Sequence, residues 1–279
     1  YYQAMVESMD TELGRLLAGL GPEVLRDTVI IYMGDNGSLS TVNQGVYNYG
    51  QAKGSVFQGG VLVPLIITGA VPLGGGHRVP HPVNTLDLFS TIIHLAEGRV
   101  EDLVPSETVI DSVSLMPYLV NDRAEPQRTF TVTERFGGRL SDVGSGQAVS
   151  NGRYKLIQTK SGIQTFYDLA VDPTELDNML DEELPADDIA QVYDEMVAAL
   201  ANDLAKANDN ATSIIYIDKA IAAARAAGVK PPEAYYRLKA RAVNATGDKA
   251  ALFATIGPQD RGGVVLSGHT DVVPVEGQA

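Results

Sequence analysis

The stretch that decides the reading is "IIYMGDNGSLS", Ile30–Ser40, followed by "KGSVFQGGVLVP", Lys53–Pro64. An apolar run of β-branched residues stops at Gly34 and is followed by adjacent Asp35 and Asn36. Thr28 to Met33 is short and continuously apolar, which predicts a strand buried on both faces of a parallel sheet. Val61 to Thr68 predicts a second one. Ligands of open α/β sheets bind beyond the carboxyl ends of such strands. One anionic and one neutral oxygen donor suit a hard cation such as Ca2+ or Mg2+, whereas a softer zinc favours imidazole. Gly34 and Gly37 allow the backbone to bend around an ion. Lys53 offers a fixed positive charge for an anionic substrate, and Gly59-Gly60 permit close approach. The same residues also read as an ordinary Asp-Asn-Gly turn.

Outward from this core, Tyr2 to Leu20 has apolar residues at Tyr2, Met5, Val6, Met9, Leu13, Leu16, Leu17 and Leu20. That spacing of three and four predicts an amphipathic helix, ended by Gly21-Pro22. Gly34 to Gly60 is rich in Gly, Asn, Ser and Gln and predicts a long functional loop. Asn84 to Ala96 predicts a helix capped by Asn84, with Leu86, Phe89, Ile92, Ile93 and Ala96 inward. From Gln127 to Leu169, short runs between Gly-containing turns predict a small antiparallel sheet. Pro185 to Ala207 predicts a long helix with acidic residues in its first turn. The fold class is α/β with an added α+β piece.

Composition narrows the function. The 279 residues are 44% hydrophobic and 20% charged, enough for a buried core. No apolar run reaches the roughly 20 residues of a membrane span. There is no cysteine, which excludes a thiol nucleophile and thiolate metal sites within these residues. Net charge is −14; Ala205 to Ala279 carries nine basic and seven acidic residues, a net of +2, which leaves −16 on the first 204. Such asymmetry predicts two units, joined at the polar stretch "KANDNAT", Lys206–Thr212. An acidic surface repels a phosphate backbone, so nucleic acid is not an expected partner.

The ordered series of motifs resembles the sulfatases of the alkaline phosphatase superfamily. Tyr2, Ala4, Val6, Asp10 and Gly14 follow that family's helix pattern. Asp35-Asn36-Gly37, Lys53-Gly54, Gly59-Gly60 and Pro64 follow in order, as do Asp87-Leu88, Ser114-Leu115 with Pro117, "YKLI" at Tyr154–Ile157 and "FYDLAVDPTELDN" at Phe166–Asn178. Gln58 and Leu62 stand where the family often has Glu and Arg. The resemblance implies a partial alkaline-phosphatase-like sheet with helices on both faces over residues 1–126. It implies a small antiparallel sheet and long helix over 127–204. It further implies hydrolysis of a small-molecule or glycan sulfate ester, with Asp35 and Asn36 as Ca2+ ligands and Lys53 contacting the sulfate. In the family a formylglycine in a C/S-x-P-S/A-R motif attacks sulfur, and that motif is not among these residues. The expectation is therefore a C-terminal half of a sulfatase, inactive by itself. The other superfamily reading, a phosphatase or phosphodiesterase, is disfavoured by Asn36 in place of a zinc-binding His. A third reading is a non-catalytic binding module, which the acidic charge disfavours for sulfated polyanions.

Other polar candidates read as structural. His77 and His81 flank Pro80, with Pro82 beyond, so they form no helical ligand pair. His94 reads as a residue at the edge of the core. Asp168, Asp172, Glu175 and Asp177 lack the spacing and glycine of an EF-hand loop.

The end of the chain reads differently. "GGVVLSGHTDVVPVEGQ" places His269 and Asp271 two residues apart at the end of a strand, on one face. A surface turn and a metal-binding His with a nearby carboxylate both fit this pattern. Leu252–Gln278 is similar to the zinc-dependent acetylornithine deacetylase and aminoacylase/peptidase family, and residues 205–279 read as a partial α/β segment of that kind. The resemblance implies His269 as a Zn2+ ligand and Asp271 as a catalytic support. Catalytic zinc takes about three protein ligands, so the expectation is no tight zinc site here.

Overall fold

The computed structural model describes residues 1–106, 108–135, 146–159, 162–181 and 187–206, and these divide into two compact units. The segment that resembles a deacetylase, with His269 and Asp271, lies outside the described residues.

The first unit holds Tyr1–Gly54, Gln58–Thr131 and Ser150–Arg153. Helix α1 runs Tyr2–Arg26 and is interrupted at Gly21, whose φ of 77° and ψ of 160° are not helical. The Gly-Pro break is where the sequence places it. The chain resumes helix after Pro22 because proline has no N–H to lose in a first turn. Strand β1 (Val29–Met33) pairs with β2 (Leu65–Gly69) in antiparallel register, Ile31 opposite Ile67. This corrects the parallel expectation: a short apolar run carries no information on strand direction. It also corrects the expected double burial, since β1 is only half-buried and Ile66 of β2 is exposed. The second strand begins at Leu65 rather than Val61. Pro64 cannot donate to a ladder, and Gln58–Val61 coil into a single turn, α2.

Helix α3 (Asp87–Leu95) corrects the expected inward face. Its buried residues are Asp87, Ser90, Thr91 and Ile93, while Leu86 and Ala96 are exposed. The polar face is satisfied by the segment 111–115. Val113 N donates to Asp87 Oδ1 at 3.0 Å, Ser90 N to Ser112 Oγ at 3.0 Å and Leu115 N to Thr91 Oγ1 at 2.8 Å. Asn84 caps the turn that leads into this helix, as expected: its side chain accepts from Leu86 N at 3.3 Å, and Asp87 Oδ2 accepts back from its N–H at 2.8 Å. Two short helices, α4 (Val100–Leu103) and α5 (Met116–Val120), complete this unit.

The second unit is built on a four-stranded sheet in the order β3 (Thr131–Arg135), β4 (Gly146–Ser150), β5 (Tyr154–Thr159), β6 (Gln164–Asp168). Strands β5 and β6 are antiparallel, with Leu156 opposite Phe166. A 3-10 turn at Met179–Asp181 and helix α6 (Asp187–Lys206) follow. The core contains Val56, Phe57, Ala148, Ile157 and Tyr167. Val56 and Phe57 lie inside the stretch that reads as loop from its polar composition, so three residues of it, Ser55–Phe57, are core instead. Phe166 stacks on Tyr154 and meets Tyr193 edge-on, each with centroids 5.5 Å apart.

Candidate functional site

The site forms where the chain leaves β1. Three backbone hydrogen bonds staple the segment 34–38 to the segment 53–64. Gly34 N donates to Pro64 O at 3.0 Å, Gly37 N to Gly60 O at 2.9 Å, and Lys53 N to Ser38 O at 2.9 Å. Asp35 and Asn36 sit between the first two staples and Lys53 forms the third. The structure therefore gathers the three sequence-predicted residues of this unit into one loop cluster. Asp35 and Lys53 are exposed and Asn36 is half-buried, so the cluster faces solvent.

Glycine is required at both contact points. A Cβ at Gly37 would lie 1.9 Å from Gly59 O and 2.8 Å from Gly60 Cα. A Cβ at Gly59 would lie 2.4 Å from Gln51 O and 2.7 Å from Tyr47 Cγ. In the structure it is the backbone of Gly37 that packs against Gly59-Gly60. Tyr2 joins the cluster through its hydroxyl, 2.9 Å from Ser38 Oγ. The sequence places it on an apolar helix face and in the family's helix pattern, and neither signals this contact.

A carboxylate beside an amide oxygen, both reachable by solvent, is a donor set for a hard cation. The two fit as part of such a shell and fall short of the six to eight oxygens Ca2+ takes. Among the described residues no group of three or more His, Cys, Asp or Glu gathers as a metal site.

The remaining polar candidates take structural places. His77 Nε2 lies 3.2 Å from Tyr118 O, and His81 stacks on the Tyr118 ring at 5.8 Å. Asp172 Oδ2 accepts from Leu176 N at 2.6 Å and Asp177 N at 2.9 Å, which closes the turn after β6. Glu175 in that turn has φ of 58° and a buried carboxylate 2.8 Å from Lys155 Nζ, itself 2% exposed. Burial pushes the Lys155 ammonium below its ordinary value, and the Glu175 carboxylate pulls it back up.

Comparison with known proteins agrees with this frame. The family model described as sulfatase matches residues 1–98. Steryl-sulfatase of Mus musculus is 31% identical over 140 residues, covering 46% of this chain and 22% of that protein. A structure solved in complex with its substrate D-glucosamine-2-N,6-O-disulfate superposes with a TM-score of 0.58 at 22% identity, over 76% of this chain and 41% of its own. A phosphonate monoester hydrolase of Agrobacterium radiobacter superposes with a TM-score of 0.54 at 25% identity, over 72% of this chain and 40% of its own. The chain spans less than half the length of each of these relatives. The family match covers residues 1–98, and the superpositions bear out the α/β fold class that the sequence predicts. None of these three matches, nor the family model, is to a deacetylase.

Proposed function

We propose that this chain contributes part of the active site of a sulfuric ester hydrolase. Asp35 and Asn36 supply two oxygen ligands to a Ca2+ ion, and Lys53 holds the sulfate oxygens. The ion would supply positive charge against the sulfate group as negative charge builds on it. The observation that carries the reading is the triple staple, which fixes a carboxylate, an amide and a lysine on neighbouring turns. Lys53 acts there as a preset cation, and preset charge is worth more than charge that must be reorganised during reaction. The relatives named above take a steroid sulfate and a sulfated aminosugar by their names, so the group behind the sulfate stays open between a small molecule and a glycan.

No C/S-x-P-S/A-R motif occurs among these residues, so the purified chain is expected to give no turnover of an aryl sulfate. Turnover by the chain alone would overturn the assignment of roles. In a longer polypeptide that carries the C/S-x-P-S/A-R motif, Asp35→Asn and Lys53→Ala should each lower kcat about a hundredfold. The likeness to a phosphonate monoester hydrolase favours a second reading within the superfamily. Assaying the longer polypeptide on an aryl sulfate and on a phosphonate monoester side by side decides between them.

A further inference from the structure

The chain contains two Asn-Gly pairs, Asn36-Gly37 and Asn151-Gly152. In such a pair the glycine backbone nitrogen can attack the asparagine Cγ. A C–N bond closes a succinimide, and the side-chain nitrogen leaves as ammonia with the proton from the backbone nitrogen. One water then opens the ring at either carbonyl, leaving aspartate or isoaspartate. Water is the only co-reactant. Glycine permits the approach best because no Cβ stands in the way.

The structure treats the two pairs differently. The attacking nitrogen of Gly37 donates to the backbone oxygen of Gly60 at 2.9 Å. Gly37 is pressed so closely on Gly59-Gly60 that a Cβ there would sit 1.9 Å from Gly59 O. To reach Asn36 Cγ, the nitrogen must abandon that bond and the backbone must turn where it has no room. Gly152 lies in the exposed turn between β4 and β5, at φ 93°. Its nitrogen is held by a side-chain acceptor, Ser150 Oγ at 3.1 Å, and Asn151 Oδ1 accepts from Arg153 N at 3.0 Å.

We propose that Asn36 is a deamidation site kept closed by the Gly37–Gly60 backbone contact, and that it converts when that contact opens. Asn151, on an exposed turn, is the more open of the two. Conversion would set a second carboxylate beside Asp35 and, as isoaspartate, insert a methylene into the backbone between position 36 and Gly37. That consequence rests on the calcium reading above; the modification does not.

The test uses the full chain in mildly alkaline buffer, native and in urea, sampled over time and digested with trypsin. The tryptic peptides Asp27–Lys53 and Leu140–Arg153 each hold one Asn-Gly pair, and mass spectrometry with fragmentation reads each separately. Asn36 is expected to convert at least about tenfold more slowly in the native chain than in urea, the effect of a local contact that must first open. Asn151 should show a smaller ratio. Gly59→Ala pushes a Cβ to within 2.4 Å of Gln51 O, so it should speed native conversion at Asn36 and leave Asn151 unchanged. Equal native and urea rates at Asn36, or no conversion in urea, overturn the proposal. So does an unchanged Asn36 rate in a Gly59→Ala chain that circular dichroism shows to be folded. If that variant does not fold, the native-to-urea ratio alone decides.

Discussion

At the scale of single residues, Gly37 carries the clearest constraint. Its missing Cβ lets two loops share backbone hydrogen bonds, and the atom it would strike is a backbone oxygen that cannot swing aside. Gly37→Ala should therefore cost about 1–3 kcal/mol, the range for overpacking, read as a lower urea midpoint. The buried Lys155–Glu175 pair makes a second expectation. Breaking a buried pair by removing one partner leaves a charge stranded, so Lys155→Met or Glu175→Gln should cost about 3–5 kcal/mol. The double variant Lys155→Met/Glu175→Leu should recover most of that loss, because two apolar side chains avoid desolvation altogether. Lys155 also has a pH signature. Its folded pKa lies below the ordinary 10.5, so the unfolded chain binds more protons between the two values. Stability from this group is then lost as pH falls through the folded pKa and present in full above 10.5. Urea titrations across that window should show the rise in wild type and lose it in Lys155→Met. Tyr167, whose hydroxyl pKa burial raises, is common to both chains and cancels in the difference.

At the scale of elements, α3 teaches why hydrophobic periodicity placed the helix but misassigned its face. The buried side chains Asp87, Ser90 and Thr91 are polar, and each is matched to the 111–115 segment. Periodicity counts apolar residues, and a polar face whose hydrogen bonds are all satisfied is invisible to it. Asp87 is the hub of this arrangement. Its side chain is fully buried, and it accepts from Asn84 N, Val113 N and both Nε and Nη2 of Arg128. Arg128 also donates to Asp111 O at 2.7 Å. Arg128→Met is expected to lower stability by about 3–5 kcal/mol, since it strands a buried carboxylate. Arg128→Lys should recover only part, because an ammonium cannot make the paired contact of a guanidinium. A urea titration of the three chains measures both. The break in α1 at Gly21-Pro22 was legible because its cause is local, and the start of β2 at Leu65 follows from Pro64 in the same way.

At the scale of the whole molecule, α1 has no buried residue. Tyr2, Met5, Val6, Met9, Leu16, Leu20 and Val24 are all exposed, as is Ile66 on β2. Exposed apolar side chains in that number promote association where they cluster. The chain should show concentration-dependent self-association by sedimentation velocity, and Met5→Lys/Leu16→Lys should reduce it. No helix among the described residues is long and apolar enough to cross a membrane. The sequence by itself determined what depends on neighbours along the chain: the helix break at Gly21, the turn after β1, the strands around Tyr154–Asp168 and the long last helix. It also determined the motif order that points to a sulfatase-type domain, because that order is a property of the chain. Only the tertiary structure decided that β1 and β2 run antiparallel, that Ser55–Phe57 is core, and that the buried face of α3 is polar. It alone brought Gly37 against Gly59-Gly60 and so set Asp35, Asn36 and Lys53 on neighbouring turns. Each of these depends on which distant segment supplies the hydrogen-bond partner or excludes water, and spacing along the chain does not encode that partner.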